Sequence, residues 1–424
     1  GRRAVDRAGP VKPGHDHDTG APLVPLDEAR ARALSWIEPL PPADLPLADA
    51  HGCVLAADVA APMDLPPFTS SAMDGFAVRA GDVASAAPDR PVALRLAGAV
   101  RMGSAAETSV GVGEAVAVPT GGVVPGGADA VVPVEQTVPQ AERVLVLRPV
   151  PAGRYVRRAG EDVSTGEVLV PGGKRLLAAD LGLLASAGVA SVRVHPRARV
   201  GILSTGDELV EPGSPLGPGR IPDANAATLH GCVLEAGGIP VALGRVPDDP
   251  AALARALADA EGVDVLVSSG GVSVGERDPV KAAFGAGYDV EFLDVAMQPG
   301  KPQAFGVVGG RPYFGLPGNP VSVFVSFEVF VRPALMTMMG RPIGRPEVTA
   351  TLEADVTGPR ETVQFARVRL SRSNAAWLAA PTGGRQSNLM STMSRADGLA
   401  MIPVGVETAA AGASVRVMRV RGGG

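Results

Sequence analysis

Apolar and polar positions change period several times along the chain, and each change marks a boundary. The first regular pattern is helical. Ala29, Ala33, Leu34 and Ile37 share one face of a helix that starts at Leu26 and is stopped by Pro39. From about 62 to 152 the period falls to two. VALRLAGAV, EAVAVPTGG, DAVVPVEQT and RVLVLRPV read as short strands between Gly and Pro turns, which predicts a small β-rich domain. Residues 153 to 196 combine a turn-rich segment with one helix (Ala178 to Ala187) and one strand (Ser191 to His195).

From 199 to about 338 strands and helices alternate. RVGILS, PVALGRV, VDVLVSS, QAFGVV and RPYFGL are apolar runs of strand length. Between them, Asp223 or Asn225 starts a helix ending at Gly237-Gly238. Asp249-Pro250 starts a second, with Leu253 and Leu257 on one face, and Asn319-Pro320 starts a long apolar one reaching about Met339. This alternation predicts a mostly parallel, doubly wound α/β sheet, whose ligands sit beyond the carboxyl ends of the strands. After Arg341-Pro342 the period returns to two in VTATLEADV, TVQFARVRL, LAMIPV and SVRVMRV, a C-terminal β domain. The expected boundaries are a flexible tail at 1–22, a mixed α/β domain from 23–61 plus 153–196, a β-rich domain at 62–152, an α/β domain at 197–339 and a β domain at 340–424. No internal repeat is evident.

Composition narrows the function classes. At 424 residues the chain is too long for one core. A net charge of −5 with scattered arginines argues against nucleic acid as a partner. The apolar stretches are interrupted before the ~18 residues a membrane span needs, so no membrane partner is expected. Cys53 and Cys232 are too few for a disulfide framework or a cysteine metal cage. No secretory apolar region precedes the fold, and a cytoplasmic location is the default expectation. In the tail, His15 and His17 flank Asp16, a possible metal pair whose alternative is a solvated segment.

The loops after the predicted strands hold the candidate chemistry. VDVLVSS runs into Ser269-Gly270-Gly271, followed by Ser273, Gly275 and then Asp278 before Pro279. A strand, a glycine loop and a helix start together present backbone N–H groups to an anion. Ser204-Thr205-Gly206-Asp207-Glu208 follows another strand. Its hydroxyls suit an anion or a ring edge and its acids suit Mg²⁺ or a ribose, against the plain reading of a βα turn with capping acids. In Asp248-Asp249-Pro250, Asp249 is the expected cap, which leaves Asp248 as a surplus carboxylate. Asp278 has a capping reading too. Pro317-Gly318-Asn319-Pro320 is a rigid turn into a helix, and Gln298-Pro299-Gly300-Lys301-Pro302 holds one cation between prolines. Ser71-Ala72-Met73-Asp74-Gly75 reads as a turn and Arg157 to Asp162 as an exposed charged loop.

Taken in order, SAMDGFAV, PTGG, RRAGEDV, LSTGDEL, PDANA, VPDDP, SSGGVSVGERD, PGKP and GLPGNPVS resemble the motifs of the MoeA / gephyrin E-domain family, the molybdopterin molybdenumtransferases. The likeness spans about residues 24 to 402. It implies four domains: a central MoaB/MogA-like doubly wound α/β domain that binds molybdopterin, a β-rich insert, a mixed linker domain used for dimerisation, and a C-terminal β-barrel-like domain. It implies a homodimer whose cleft is shared with the β region of the other subunit. The implied reaction takes adenylylated molybdopterin and molybdate, cleaves the AMP anhydride with Mg²⁺ and leaves molybdenum on the dithiolene. The upstream adenylyltransferase is an implied partner.

The resemblance assigns catalysis to Asp74, Asp162, Asp248 and Asp278, with Asp248 and Asp278 at the metal. It assigns substrate binding to Thr120, Ser204, Thr205, Gly206, Asp207, Glu208, Asp223, Asn225, Ser269, Gly270, Gly271, Ser273, Gly275, Pro317, Gly318, Asn319 and Pro320. Molybdate falls to Gln298, Lys301, Arg367 and Ser387. The chain departs from the family pattern at Gln298, where members often carry lysine, at Asp294, where some carry another lysine, and at Phe76, where tyrosine is common. Two other readings stand beside the enzyme: a gephyrin-like scaffold, and a molybdopterin adenylyltransferase-like protein. The second leaves the flanking β regions with Asp74 and Asp162 unexplained.

Overall fold

The computed structural model describes residues 22–272, 284, 289–374 and 376–421. They form two compact units, one of the described residues from 22–41 and 196–421 and one of residues 42–195.

In the first unit a six-stranded sheet runs in the order Ile239–Val246, Arg199–Thr205, Val265–Ser269, Arg311–Leu316, Pro302–Val308, Asp289–Asp294. The first four strands are parallel and the last two antiparallel. Successive side chains point to opposite faces, so each apolar run feeds two cores. Ile202, Val265, Val267, Phe305 and Phe314 pack with Leu229, Cys232 and Val233 of helix Ala224–Ala236 and with the helix that begins at Pro320. Leu203, Leu266, Ala304 and Tyr313 pack on the other side with Leu253 and Leu257 of helix Pro250–Ala258. Burial on both faces is why these strands read as continuous rather than alternating apolar runs.

The helix from Pro320 to Met338 is long and apolar enough to cross a membrane, but nearly all of it is buried within this unit. It is not uniform. Pro320–Ser326 is α-helical, Phe327–Val331 takes one π turn, and Arg332–Met338 resumes the α form. Pro333 has no N–H for an i→i−4 bond, and the wider turn accommodates it. The π turn buries Glu328, which accepts from the Arg345 guanidinium at 2.8 and 2.6 Å.

One domain expectation changes here. Helix Leu26–Leu34 is not part of a unit with 42–61 and 153–195. Its Ala29 and Ala33, with Ile37, join the core beneath the Pro320 helix. Backbone bonds from Val24 N to Asp294 O and from Leu40 N to Met338 O, both 2.8 Å, tie its flanks to the same unit. The apolar stripe specified burial but not the partner.

The C-terminal region closes into a five-stranded barrel. Val363–Ser373, Ala376–Pro381, Glu347–Leu352, Ser414–Arg419 and Gly398–Ile402 follow one another, and the last pairs back on the first. Its interior holds Ala350, Leu352, Val368, Ala379, Ile402 and Val417. Met297–Gln298 adds to this barrel in parallel, with Gln298 beside Gln364. Strands Ala376–Pro381 and Asp289–Asp294 lack a clear pattern in the sequence; the first is half alanine and the second is interrupted by acids.

The second unit holds a six-stranded sheet in the order Ala130–Pro133, Gly75–Val78, Glu114–Val118, Val92–Ala99, Arg143–Val146, Thr137–Pro139. A three-stranded sheet (Ala43–Pro46, Ser191–His195, Val54–Leu55) packs with helix Ala178–Ser186 around Cys53, Leu55, Leu176, Leu184 and Val194.

Candidate active site

The parallel strands end in register. Ser204 lies beside Ser269, and Ser269 beside Leu316, so three loops leave the sheet together. The Ser204 and Ser269 hydroxyls are 3.4 Å apart, and the Ser268 hydroxyl is 2.6 Å from that of Tyr313. Gly270 has φ +92°, and its N–H donates to Leu316 O at 3.0 Å. A Cβ there would lie 2.6 Å from Thr205 O, so this crossing requires glycine. Gly318 lies next to Gly270, where a Cβ would make ordinary contact with Gly270 Cα at 3.7 Å.

A fourth element joins them. Asp223 caps helix Ala224–Ala236 by accepting from Ala226 N at 3.0 Å, which settles the choice between Asp223 and Asn225. Asn225 is then free to donate from Nδ2 to Gly318 O at 2.8 Å. Asn319 occupies the N-cap position of Pro320–Ser326 without a side-chain cap bond. Val321 N, in the first turn of that helix, donates to Ser387 O at 3.0 Å, which brings the barrel's Ser387 loop to this point. Two buried polar atoms among these loops have no partner among the described residues, Thr205 Oγ1 and Asn225 Oδ1. A buried oxygen without a partner costs about 1–3 kcal/mol, and a bound ligand or water removes that cost. Gly271 is half-buried beside them, while Ser273, Gly275 and Asp278 lie outside the described residues.

The acids form the rim. Gly206 N donates to Val246 O at 3.3 Å, and Asp207 Oδ1 accepts from Asp248 N at 3.3 Å, so the two loops are linked. The Glu208 carboxylate folds back over Gly206. Asp249 caps Pro250–Ala258, accepting from Ala251 N at 3.1 Å and Ala252 N at 3.3 Å. The Asp248 side chain takes no part in that cap, and Asp248 is exposed. Among the described residues, no group of three or more His, Cys, Asp or Glu could hold a metal by itself.

A cavity of ≈ 210 Å³ opens between the Gln298 loop and the barrel. Gln298 and Arg367 line it, together with Gln364, Asp355 and Arg385, which the sequence reading did not single out. Lys301 and Ser387 are not among its lining residues. Arg367 is 6% exposed, and burial holds its guanidinium below the usual arginine range. It donates to Gly384 O and, at 3.1 Å, to Gln386 O. Gln303 Nε2 fixes the neighbouring loop, donating to Gly300 O and Ser326 Oγ, each at 2.6 Å.

In the second unit Asp74 and Thr120 form one local device. Asp74 Oδ1 accepts from Thr120 N at 2.7 Å and from Thr120 Oγ1 at 3.0 Å. The backbone bond first, then the hydroxyl, holds the Asp74 carboxyl below its ordinary value. Gly75 beside it has no room for a side chain, since a Cβ would lie 2.0 Å from Val132 O. Asp162 is exposed on the strand-like segment that pairs with 65–71: Asp162 N donates to Leu65 O at 3.0 Å, and Val156 pairs with Ser71. Asp74 lies in the turn between Ser70–Ser71 and Gly75–Val78, its carbonyl accepting from Val134 N at 3.0 Å, while Asp162 follows Val156–Arg157, the strand paired with Ser70–Ser71.

Three family models match in sequence. "MoeA N-terminal region (domain I and II)" matches residues 24–188, "Probable molybdopterin binding domain" residues 201–337, and "MoeA C-terminal region (domain IV)" residues 349–420. Molybdopterin molybdenumtransferase 2 of Mycobacterium tuberculosis is 42% identical over 384 residues, covering 89% of this chain and 94% of that protein. Molybdopterin molybdenumtransferase of Bacillus subtilis is 33% identical over 405 residues, covering 94% of each. The crystal structure of the molybdopterin biosynthesis MoeA protein from Pyrococcus horikoshii superposes with a TM-score of 0.77 at 33% identity, covering 94% of this chain and 100% of that one.

Proposed function

The chain belongs to the MoeA family, and from that premise we propose how its loops carry out the family's reaction. It is a molybdopterin molybdenumtransferase of molybdenum cofactor biosynthesis. The substrate read here is adenylylated molybdopterin, with molybdate as the second substrate. The observation that carries this reading is the meeting of the Ser204–Glu208, Ser269–Gly271 and Pro317–Pro320 loops around the unpartnered Thr205 Oγ1 and Asn225 Oδ1.

Backbone N–H groups beside glycines at strand ends suit the phosphate of the pterin. Thr205 Oγ1 donates to a ligand oxygen, and Asn225 Oδ1 accepts from a ring N–H or a hydroxyl. Both atoms are buried and lack a protein partner among the described residues, so a ligand that bonds to them satisfies polar atoms that are otherwise costly to bury. Asp207, held by Asp248 N, keeps the rim in one arrangement.

Mg²⁺ fits this rim. The ion needs one or two protein carboxylates when phosphates and waters complete its shell, and the exposed Asp248 is such a carboxylate. Asp278 is the second carboxylate that the family resemblance assigns. When bound, the ion neutralises charge on the phosphoanhydride that the acids would otherwise repel.

Gln298 and Arg367 hold molybdate in the cavity beside the barrel, with Lys301 and Ser387 on the adjoining loops. The protein acts as a homodimer in which Asp74 and Asp162 complete the partner's cleft. Mixing inactive Asp74→Ala with inactive Asp248→Ala subunits then restores part of the activity. Failure to complement despite proven exchange overturns the shared site. Molybdate-dependent AMP release by the purified protein tests the function itself. The cytoplasm is the proposed location, as the site of a soluble biosynthetic step.

A further inference from the structure

A buried cation with no carboxylate in ion-pair contact favours an anion from elsewhere. Arg367 is 6% exposed, it donates to two backbone carbonyls, and no carboxylate among the described residues lies within ion-pair distance. Burying such a charge is costly unless it is paired. It lines the ≈ 210 Å³ cavity, which has room for a tetrahedral oxyanion with accompanying water.

The same two bonds have a second effect. They grip the carbonyls of Gly384 and Gln386, the residues on either side of Arg385, and so fix the loop that carries it. The Arg385 side chain lines the cavity and makes no hydrogen bond or ion pair with a described residue. Asp355 lines the wall too, its Oδ1 accepting from Ala411 N at 2.8 Å. With Arg367 and Asp355 alone the cavity would be neutral. Gln298 contributes hydrogen bonds but no charge. Arg385 tips the balance to positive.

We propose that Arg385 is the second cation of this oxyanion site and sets its affinity for the tetrahedral dianion. The ligand's identity as molybdate rests on the function proposed above. Arg385 is an exposed cation at the cavity mouth while Arg367 is the buried one, so the site captures through a screened charge and holds through an unscreened charge.

The test is calorimetric titration of the intact protein with sodium molybdate. Arg385→Gln should weaken binding about tenfold and flatten its salt dependence. Asp355→Asn should act in the opposite direction and tighten binding, which separates charge from a folding defect. Gln298→Lys in the Arg385→Gln background should recover part of the loss. Native affinity in Arg385→Gln, with Arg367→Met impaired, overturns the role of Arg385 and leaves the molybdate site standing. Native affinity in both variants overturns the placement of molybdate in this cavity.

Discussion

Replacing Asp249 by alanine removes two backbone acceptor contacts, to Ala251 N and Ala252 N, from the start of helix Pro250–Ala258. Loss of such a cap costs about 1 kcal/mol, with a usual span of roughly 0.5–2. The helix does not depend on its cap for existence. Leu253 and Leu257 are fully buried against Leu203, Leu266 and Tyr313, and Pro250 already holds the first helical φ. The loss should therefore appear as fraying of the first turn. Amide exchange at Ala251 and Ala252 should speed up about fivefold, and the melting temperature of a unit of this size should fall by roughly 2–4 °C. Asp248→Asn should do the reverse: unchanged exchange and melting, with molybdenum insertion strongly reduced, because its side chain takes no part in the cap. The pair is read by hydrogen exchange, thermal melting and turnover on the same samples. Equal activity losses in the two variants, or a melting shift in Asp248→Asn as large as in Asp249→Ala, would refute the division of labour.

Other expectations follow from single contacts. Gly270→Ala places a Cβ 2.6 Å from Thr205 O at φ +92°, so it should lower stability by a few kcal/mol and abolish pterin binding; normal binding by fluorescence titration would show that the loop has slack. Asp74 should titrate below the ordinary carboxylate value in carbon-detected NMR, because Thr120 stabilises its ionised form. Its folded value is depressed, so its contribution to stability is present above the unfolded value and is lost as pH falls through the folded one. Thr120→Val should move the titration only part of the way up, since the larger backbone bond survives, and no movement would remove the hydroxyl from the account. Burial pushes the Cys232 thiol far up, and Cys53 is buried too, so neither should react with a thiol reagent at pH 8 until the protein unfolds; rapid native labelling would contradict the packing.

The α/β domain was legible because its signals are local. Runs such as Val265 to Val267 and punctuation such as Asp249-Pro250 mark strands and helix starts without reference to the rest of the chain. The same holds for the division between Asp249 as cap and Asp248 as free acid. The functional reading came from motifs rather than from pattern, since a serine-glycine loop alone is an ordinary turn. What remained hidden depends on distant pairings. Helix Leu26–Leu34 showed a buried stripe, but nothing in the stripe named the Pro320 helix as its partner. The cavity exists because the barrel closes and Met297–Gln298 pairs with its first long strand, which joins Gln298 to Arg367 across the chain. Arg385 became visible only then. Lys301 drew notice through its flanking prolines, yet the cavity is lined by Gln298, Arg367 and Arg385 instead.

The central claim concerns a transfer coupled to cleavage of an anhydride, and nucleotide release reports it directly. Purified protein is incubated with adenylylated molybdopterin and Mg²⁺, with and without molybdate, and AMP is followed by chromatography while molybdenum on the pterin is followed by mass spectrometry. The account predicts AMP release that depends on molybdate and matches, mole for mole, the molybdenum appearing on the dithiolene. Recovery of intact adenylylated pterin under all conditions, from protein that binds it, would contradict the enzyme reading and leave a binding protein in its place.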